Sequence, residues 1–124
     1  MYNLALKNIK KLGLENKINI INSDAYEYLK KIEEKFDFVF IDAAKGQYKK
    51  YFDISKNLLN YGGVIISDNI LFNGYVVENI NYPKRKKTIV KRLIEYNNYL
   101  SNLRGYNTVF LPIDDGIAIT YMEE

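Results

Sequence analysis

The chain is 124 residues long, 48% apolar and mildly basic, with a formal net charge of +3, and it contains neither cysteine nor histidine. The missing residue types exclude disulfides, thiolate or imidazole metal sites, cysteine nucleophiles and Ser-His-Asp chemistry, so any reaction must use carboxylates, amides, lysines, tyrosines and a cofactor. The apolar share argues against disorder, no apolar run approaches the ~20 residues that span a bilayer, and the lysine-rich start lacks a signal-peptide core; one small soluble, cytoplasmic domain or a piece of one is expected.

Residues Met1 to Leu12 place Leu4, Ala5, Ile9 and Leu12 at helical spacing, and Gly13 stands where a helix-ending glycine belongs. The isoleucine-rich stretch Lys17 to Asn22 reads as a short strand. Asp24, followed three residues later by Glu27, is a capping-box pattern that predicts a helix to about Glu34. Phe36 to Ile41 is an apolar run broken only by Asp37, as in a buried parallel strand. Tyr48 to Leu59 carries Tyr48, Tyr51, Phe52, Ser55, Leu58 and Leu59 on one helical face. Gly62-Gly63 turns the chain into an apolar strand, Val64 to Ser67. After a loop, Lys84 to Leu103 is a long helix with Ile89, Val90, Leu93, Ile94, Asn97 and Leu100 inward. Thr108 to Ile113 and Ile117 to Met122 flank Asp114-Asp115-Gly116 as a β-hairpin. The alternation predicts an α/β fold in a single domain over residues 1–124. Its parallel sheet would carry helices on both faces and an antiparallel strand pair at one edge.

In open α/β sheets ligands gather at the carboxyl ends of the strands. Here Asp24 follows the first predicted strand, Asp42 closes the second and Asp68-Asn69 the third. If the second and third are neighbours, Asp42, Asp68 and Asn69 converge into an all-oxygen site suited to Mg²⁺, Mn²⁺ or Ca²⁺ rather than zinc or copper. Such an ion chelates substrate oxygens and lowers the pKa of a hydroxyl. Lys45, three residues past Asp42, is placed to assist deprotonation or stabilise the oxyanion. The plainer reading makes each residue a helix cap. It suits Asp24, but Ile70, Leu71 and Phe72 read as loop and give Asp68-Asn69 little to cap. Between Asn81 and Arg104, the cations Lys84, Arg85, Lys86, Lys87, Lys91, Arg92 and Arg104 face only Glu95. That density suits a phosphate-bearing partner, or a solvated helix face.

Three blocks carry a family resemblance: Phe-Asp-Phe-Val-Phe-Ile-Asp-Ala-Ala-Lys-Gly-Gln-Tyr (36–48), Gly-Gly-Val-Ile-Ile-Ser-Asp-Asn-Ile-Leu-Phe-Asn-Gly (62–74) and Leu-Pro-Ile-Asp-Asp-Gly-Ile-Ala-Ile-Thr (111–120). In this order they resemble the bacterial branch of the catechol and caffeoyl-CoA O-methyltransferase superfamily, and the resemblance covers essentially the whole chain. Lys-Gly-Gln-Tyr, Phe-Asn-Gly-Tyr-Val and the Arg-Lys-Lys helix are most similar to bacterial tRNA 5-hydroxyuridine methyltransferases, which methylate a wobble-position hydroxyl. The resemblance implies a Rossmann-like fold and methyl transfer from S-adenosylmethionine to a hydroxyl, assisted by Mg²⁺ (or Mn²⁺/Ca²⁺). It implies Asp42, Asp68 and Asn69 as metal ligands, Asp24 and Ala25 against the cofactor's adenine, Asp42 also near the cofactor, and Lys45 beside the reacting hydroxyl. Lys84, Arg85, Lys86 and Lys87 would then meet anticodon-stem phosphates, and an unpaired loop base could reach the metal without duplex opening.

The resemblance also implies what is missing. Family members carry an upstream strand with a glycine-rich turn for the methionine end of the cofactor, then a strand ending in an acidic residue for the ribose. The seven glycines here form no G-x-G-x-x-G or similar loop. The expected fold is therefore the C-terminal portion of a Rossmann-like methyltransferase, lacking the first two central strands, whether as a truncated product, an engineered domain or a proteolytic remnant. Phe36 to Ile41 would then be an exposed apolar edge that favours a homo-oligomer. Two further readings stand beside this one: an O-methyltransferase of a small catechol-like hydroxyl substrate, and an inactive fragment that binds metal or RNA or only self-associates.

Overall fold

The computed structural model describes residues 1–77 and 80–123, and the chain divides into two compact units, Met1–Lys31 and Ile32–Glu124. Among the described residues no helix is long and apolar enough to cross a membrane.

In the first unit, α1 (Tyr2–Lys11) ends as its sequence predicts. Gly13 takes φ +64°, and the amides of Gly13 and Leu14 donate to the carbonyls of Lys10 and Ile9, both at 3.1 Å. This double closure satisfies carbonyls that the last helical turn leaves unpaired. Asp24 caps α2 (Ala25–Leu29), its Oδ1 accepting the Glu27 amide at 2.9 Å. The helix stops well short of Glu34, because Glu33 and Glu34 would put negative charge at the negative end of the helix dipole. The strand expected over Lys17 to Asn22 does not form. The amides of Lys17 and Ile18 both turn back to the Leu14 carbonyl at 2.9 Å, and no described strand pairs with the residues beyond them. Isoleucine content favours a pleated surface but cannot replace a ladder partner.

The second unit is one four-stranded sheet in the order β1-β2-β4-β3. Strand β1 (Phe36–Ile41) runs parallel to β2 (Leu59–Asp68), while β4 (Ile117–Met122) runs antiparallel to both β2 and β3 (Tyr106–Leu111). Strand β2 begins earlier than its sequence suggests, with Gly62-Gly63 inside it as a bulge between the pairs Phe36↔Leu59 and Phe38↔Val64. Gly62 has φ +75°, and a Cβ on Gly63 would come within 2.7 Å of the Leu59 side chain, so the bulge requires both glycines. Strand β3 ends at Leu111 because Pro112 has no amide to extend the ladder.

Register fixes which face is buried. Ile65 lies opposite Val39 and Thr120, and Ser67 opposite Ile41 and Ala118. Ile41, Ile65, Ser67, Ala118 and Thr120 are all buried. Two helices, α3 (Tyr48–Asn57) and α4 (Lys87–Ser101), cover this face with Tyr48, Phe52, Val90, Leu93, Tyr96 and Leu100. A 3₁₀ turn precedes each, Lys45–Gln47 and Lys84–Lys86. Within this unit both helices lie on one face of the sheet. Tyr96 points inward, whereas Ile94 is 38% exposed, because it sits off the stripe that Val90, Leu93 and Leu100 define. Strand β1 is a sheet edge, and on its other face Phe38 and Phe40 remain 56% and 52% exposed.

Candidate functional site

The parallel pairing Ile41↔Ser67 brings Asp42 and Asp68 off neighbouring strands at the same carboxyl end of the sheet. Adjacent strands lie about 4.8 Å apart, so the two backbones are close. Asp68 is the last residue of β2, and Asn69 comes next with φ +55°, a left-handed turn that asparagine tolerates better than most side chains. Asp68 Oδ1 accepts the Asn69 amide at 2.8 Å, which orients the carboxylate. Among the described residues no three Asp, Glu, His or Cys side chains form a ligand-like group, so these strand ends offer two carboxylates and one carboxamide.

Buried side chains hold the end of β2 from below. Tyr48, the first residue of α3 and 1% exposed, donates to the Asp68 carbonyl at 2.7 Å. Burial pushes its phenol up to about 12, and the charges of Asp42, Asp68 and Asp115 push in the same direction. Tyr96 shares a 2.6 Å hydrogen bond with Ser67 Oγ and meets Tyr48 edge-on, ring centroids 5.7 Å apart. Asn97 Nδ2 donates to the Ile70 carbonyl at 3.1 Å.

The turn between β3 and β4 holds the same segment from the other side. The amides of Leu71 and Ile70 donate to the carbonyls of Asp115 and Gly116 at 2.9 and 3.1 Å, and the Asn73 amide donates to Asp115 Oδ1. Gly116 has φ +83°, and a Cβ there would overlap the Leu71 side chain, so glycine permits the close approach.

Lys45 stands on the 3₁₀ turn after β1. Its Nζ lies 3.9 Å from Asp115 Oδ2, with both side chains mostly buried, and 5.5 Å from the Phe72 ring centroid. Arg92 Nη1 donates to the Gly46 carbonyl at 3.2 Å and ties that turn to α4. A groove of about 480 Å³ opens between this turn with α3 and the facing side of α4, lined by Lys45, Asp53, Arg92 and Glu95 among others.

Of the basic block, Lys84, Arg85 and Lys87 are exposed. Lys86 is not: its Nζ lies 4.9 Å from the ring centroids of both Phe72 and Tyr75. Cation–π contact thus ties the block to the loop that leaves β2. Within the segment from Phe72 to Pro83, Glu78 and Asn79 lie outside the described residues. Asp24 and Ala25 belong to the Met1–Lys31 unit, where both are exposed and Asp24 caps α2.

Sequence reasoning passes over Asp115. Asp-Asp-Gly reads as turn chemistry, which accounts for Asp114 (φ +51°) and Gly116. A second acid inside a turn that needs one was the available signal. The hydroxyl of Tyr48 is passed over too, because a helical stripe records its ring as core and says nothing of its polar tip; Tyr96 is missed altogether, since the stripe read for its helix runs through Ile94 and Asn97 instead.

The O-methyltransferase family model matches residues 1–122. The tapetum-specific methyltransferase 1 of Arabidopsis thaliana is 32% identical over 123 residues, covering 95% of this chain and 53% of its own length. A caffeoyl-CoA O-methyltransferase of Medicago sativa is 36% identical over 126 residues, covering 95% and 51%. Among solved structures, a protein of Staphylococcus aureus provisionally designated a caffeoyl-CoA O-methyltransferase superposes with a TM-score of 0.87 at 37% identity, over 98% of this chain and 59% of its own. An O-methyltransferase of Bacillus cereus in complex with SAH gives a TM-score of 0.84 at 25% identity, over 98% and 57%. The chain spans about half the length of the curated relatives it matches.

Proposed function

We propose, because the chain belongs to the O-methyltransferase family, that it forms the substrate-side part of an S-adenosylmethionine-dependent O-methyltransferase assisted by a divalent cation. The observation that carries this reading is the arrival of Asp42 and Asp68-Asn69 at one carboxyl end of adjacent parallel strands, with Lys45 on the next turn. Two carboxylates and an amide oxygen fit a hard cation, Mg²⁺ or alternatively Mn²⁺ or Ca²⁺, with coordination positions left over for water and substrate oxygens. When bound, such a cation polarises a hydroxyl; S-adenosylmethionine, when bound, supplies the methyl group. We assign Asp24, Ala25 and Asp42 to cofactor contact. The SAH complex of the Bacillus cereus relative supports the choice of cofactor. Lys45, whose ammonium faces Asp115, then assists the hydroxyl's deprotonation by stabilising the oxyanion that forms.

For the acceptor we assign a 5-hydroxyuridine in a tRNA anticodon loop. Exposed Lys84, Arg85 and Lys87 support this, since Lys86 ties their turn to Phe72 and Tyr75 and so to the segment leaving the strand end. Phosphates would bind the exposed cations while an unpaired base reaches inward. A small catechol-like or caffeoyl substrate is the second reading, favoured by the names of the curated relatives. The test is transfer of radiolabelled methyl groups from S-adenosylmethionine to 5-hydroxyuridine-containing tRNA and, in parallel, to catechol and caffeoyl-CoA, each with Mg²⁺ and with EDTA. Labelling of tRNA that EDTA abolishes is expected. Labelling of the small molecules alone would transfer the assignment to them, and transfer that survives EDTA would remove the cation. The half-exposed Phe38 and Phe40 on the β1 edge favour a third reading, a chain that self-associates without activity and labels nothing.

A further inference from the structure

We propose that Tyr48 is a positioning residue for the cation ligands, its buried hydroxyl fixing the Asp68 backbone and through it the direction of the Asp68 and Asn69 side chains. The inference rests on the proposed cation site. Pairing of β2 with β4 ends at Asp68↔Ile117, so the Asp68 carbonyl sits at the last rung of the ladder. Tyr48 donates to that carbonyl at 2.7 Å from the first turn of α3. Its ring packs against Tyr96 within a core that also holds Phe52 and Ile70, and a phenylalanine ring would fill that space equally well. What the hydroxyl adds is a fixed donor at the strand end.

That donor matters because the next residue in the chain is strained. Asn69 occupies the left-handed region, which is uphill for a residue with a side chain and persists only where its surroundings determine it. Downstream, Ile70 and Leu71 are pinned to Gly116 and Asp115. Upstream, Tyr48 supplies the matching anchor. Both Asp68 and Asn69 thus hang from a peptide held at its two ends, and ligand sets lose affinity when their supports leave tenths of an ångström of play.

The experiment is calorimetric titration of the 124-residue chain with Mn²⁺, for the native protein, Tyr48→Phe and Thr120→Val. The last removes a buried hydroxyl that bonds Thr108, three residues along β4 from the Ile117 that pairs with Asp68, and controls for loss of core polarity. Tyr48→Phe is expected to keep the native circular dichroism spectrum and bind Mn²⁺ about tenfold more weakly, the lower end of what outer-shell partners contribute, while Thr120→Val binds as the native chain does. Equal affinity of Tyr48→Phe and the native chain overturns the positioning role and leaves the cation reading standing. Failure of the native chain to bind Mn²⁺ overturns both. Should Tyr48→Phe not fold, Mg²⁺ titration of the native chain followed by NMR decides the matter: the Tyr48 ring and the Asn69 side-chain amide must shift together, and movement of Asn69 alone refutes the coupling.

Discussion

The shared hydrogen bond between Ser67 and Tyr96 predicts a specific non-additivity. Both residues are 1% exposed, and their oxygens lie 2.6 Å apart, each the other's buried partner. Tyr96→Phe keeps the ring contacts with Tyr48 and Phe52 but strands the Ser67 hydroxyl; Ser67→Ala strands the phenol instead. An orphaned buried hydroxyl costs about 1–3 kcal/mol, so each single change should destabilise by that amount. The double variant strands nothing, and its loss should be no larger than either single one, so the coupling energy should be at least as large as one single loss, about 1–3 kcal/mol. Urea denaturation followed by circular dichroism measures all four corners, and each kcal/mol should move Tm by roughly 3–5 °C for a domain of this size. Strict additivity, with the double variant losing the sum of the two, would falsify the claim that this pair is a closed buried unit.

Alkaline stability should track Tyr48. Its folded-state pKa is raised to about 12 from an ordinary 10.0, so its contribution is complete below pH 10 and is lost as pH rises through 12. The slope from this group is about 1.4 kcal/mol per pH unit, and the stability difference between native chain and Tyr48→Phe should shrink across that window; parallel curves would count against a buried phenol. Asp115→Asn keeps an acceptor for the Asn73 amide but loses the charge facing Lys45, and should cost under about 1 kcal/mol. Asp115→Ala loses the acceptor as well and should cost about 1–3 kcal/mol, so equal stabilities of the two variants would show that the loop does not depend on this anchor. Replacing the exposed Lys84, Arg85 and Lys87 by glutamine should weaken tRNA binding and flatten its salt dependence by about one unit of slope for each phosphate no longer neutralised, leaving methylation of a small acceptor intact; tRNA methylation at native rates would reassign the block to a solvated surface. Light scattering should find the native chain at least dimeric, and Phe38→Lys with Phe40→Lys should return it toward monomer; a stable native monomer refutes self-association through β1.

Much of the second unit is legible in the sequence. The run Phe36 to Ile41, the stripe of α4 and the hairpin around Asp114-Asp115-Gly116 each arise from short-range pattern, and β4 begins and ends at the residues expected. Lys17 to Asn22 fails because a strand is a property of two segments, and the local pattern describes one. Gly62-Gly63 fails in the opposite sense: glycines that read as a turn serve a bulge, a distinction set by the partner strand Phe36 to Ile41. Strand order, once inferred, puts Asp42 beside Asp68-Asn69 without any further information. Asp115 is different, because its carboxylate faces Lys45 and the Asn73 amide, residues 70 and 42 positions away, and no local spacing encodes either pairing.

The β1–α3–β2 crossover explains why a tyrosine at the start of a helix can govern a strand end. After β1 the chain leaves the carboxyl edge of the sheet, and α3 must begin at that level before descending antiparallel to the strands. Its first residue, Tyr48, is therefore level with the last residue of the parallel neighbour, Asp68, while Phe52 and Ser55 lie lower against the buried face. One helix thus serves two purposes along its length: a polar tip at the top fixes the strand end, and apolar contacts below secure the sheet. Substitutions along α3 should separate accordingly, Phe52→Ala costing about 3–5 kcal/mol of stability and Tyr48→Phe acting chiefly on cation affinity. A Tyr48→Phe variant that lost stability on the scale of Phe52→Ala, with cation affinity unchanged, would mean that the hydroxyl belongs to the core and that the top of α3 has no separate role.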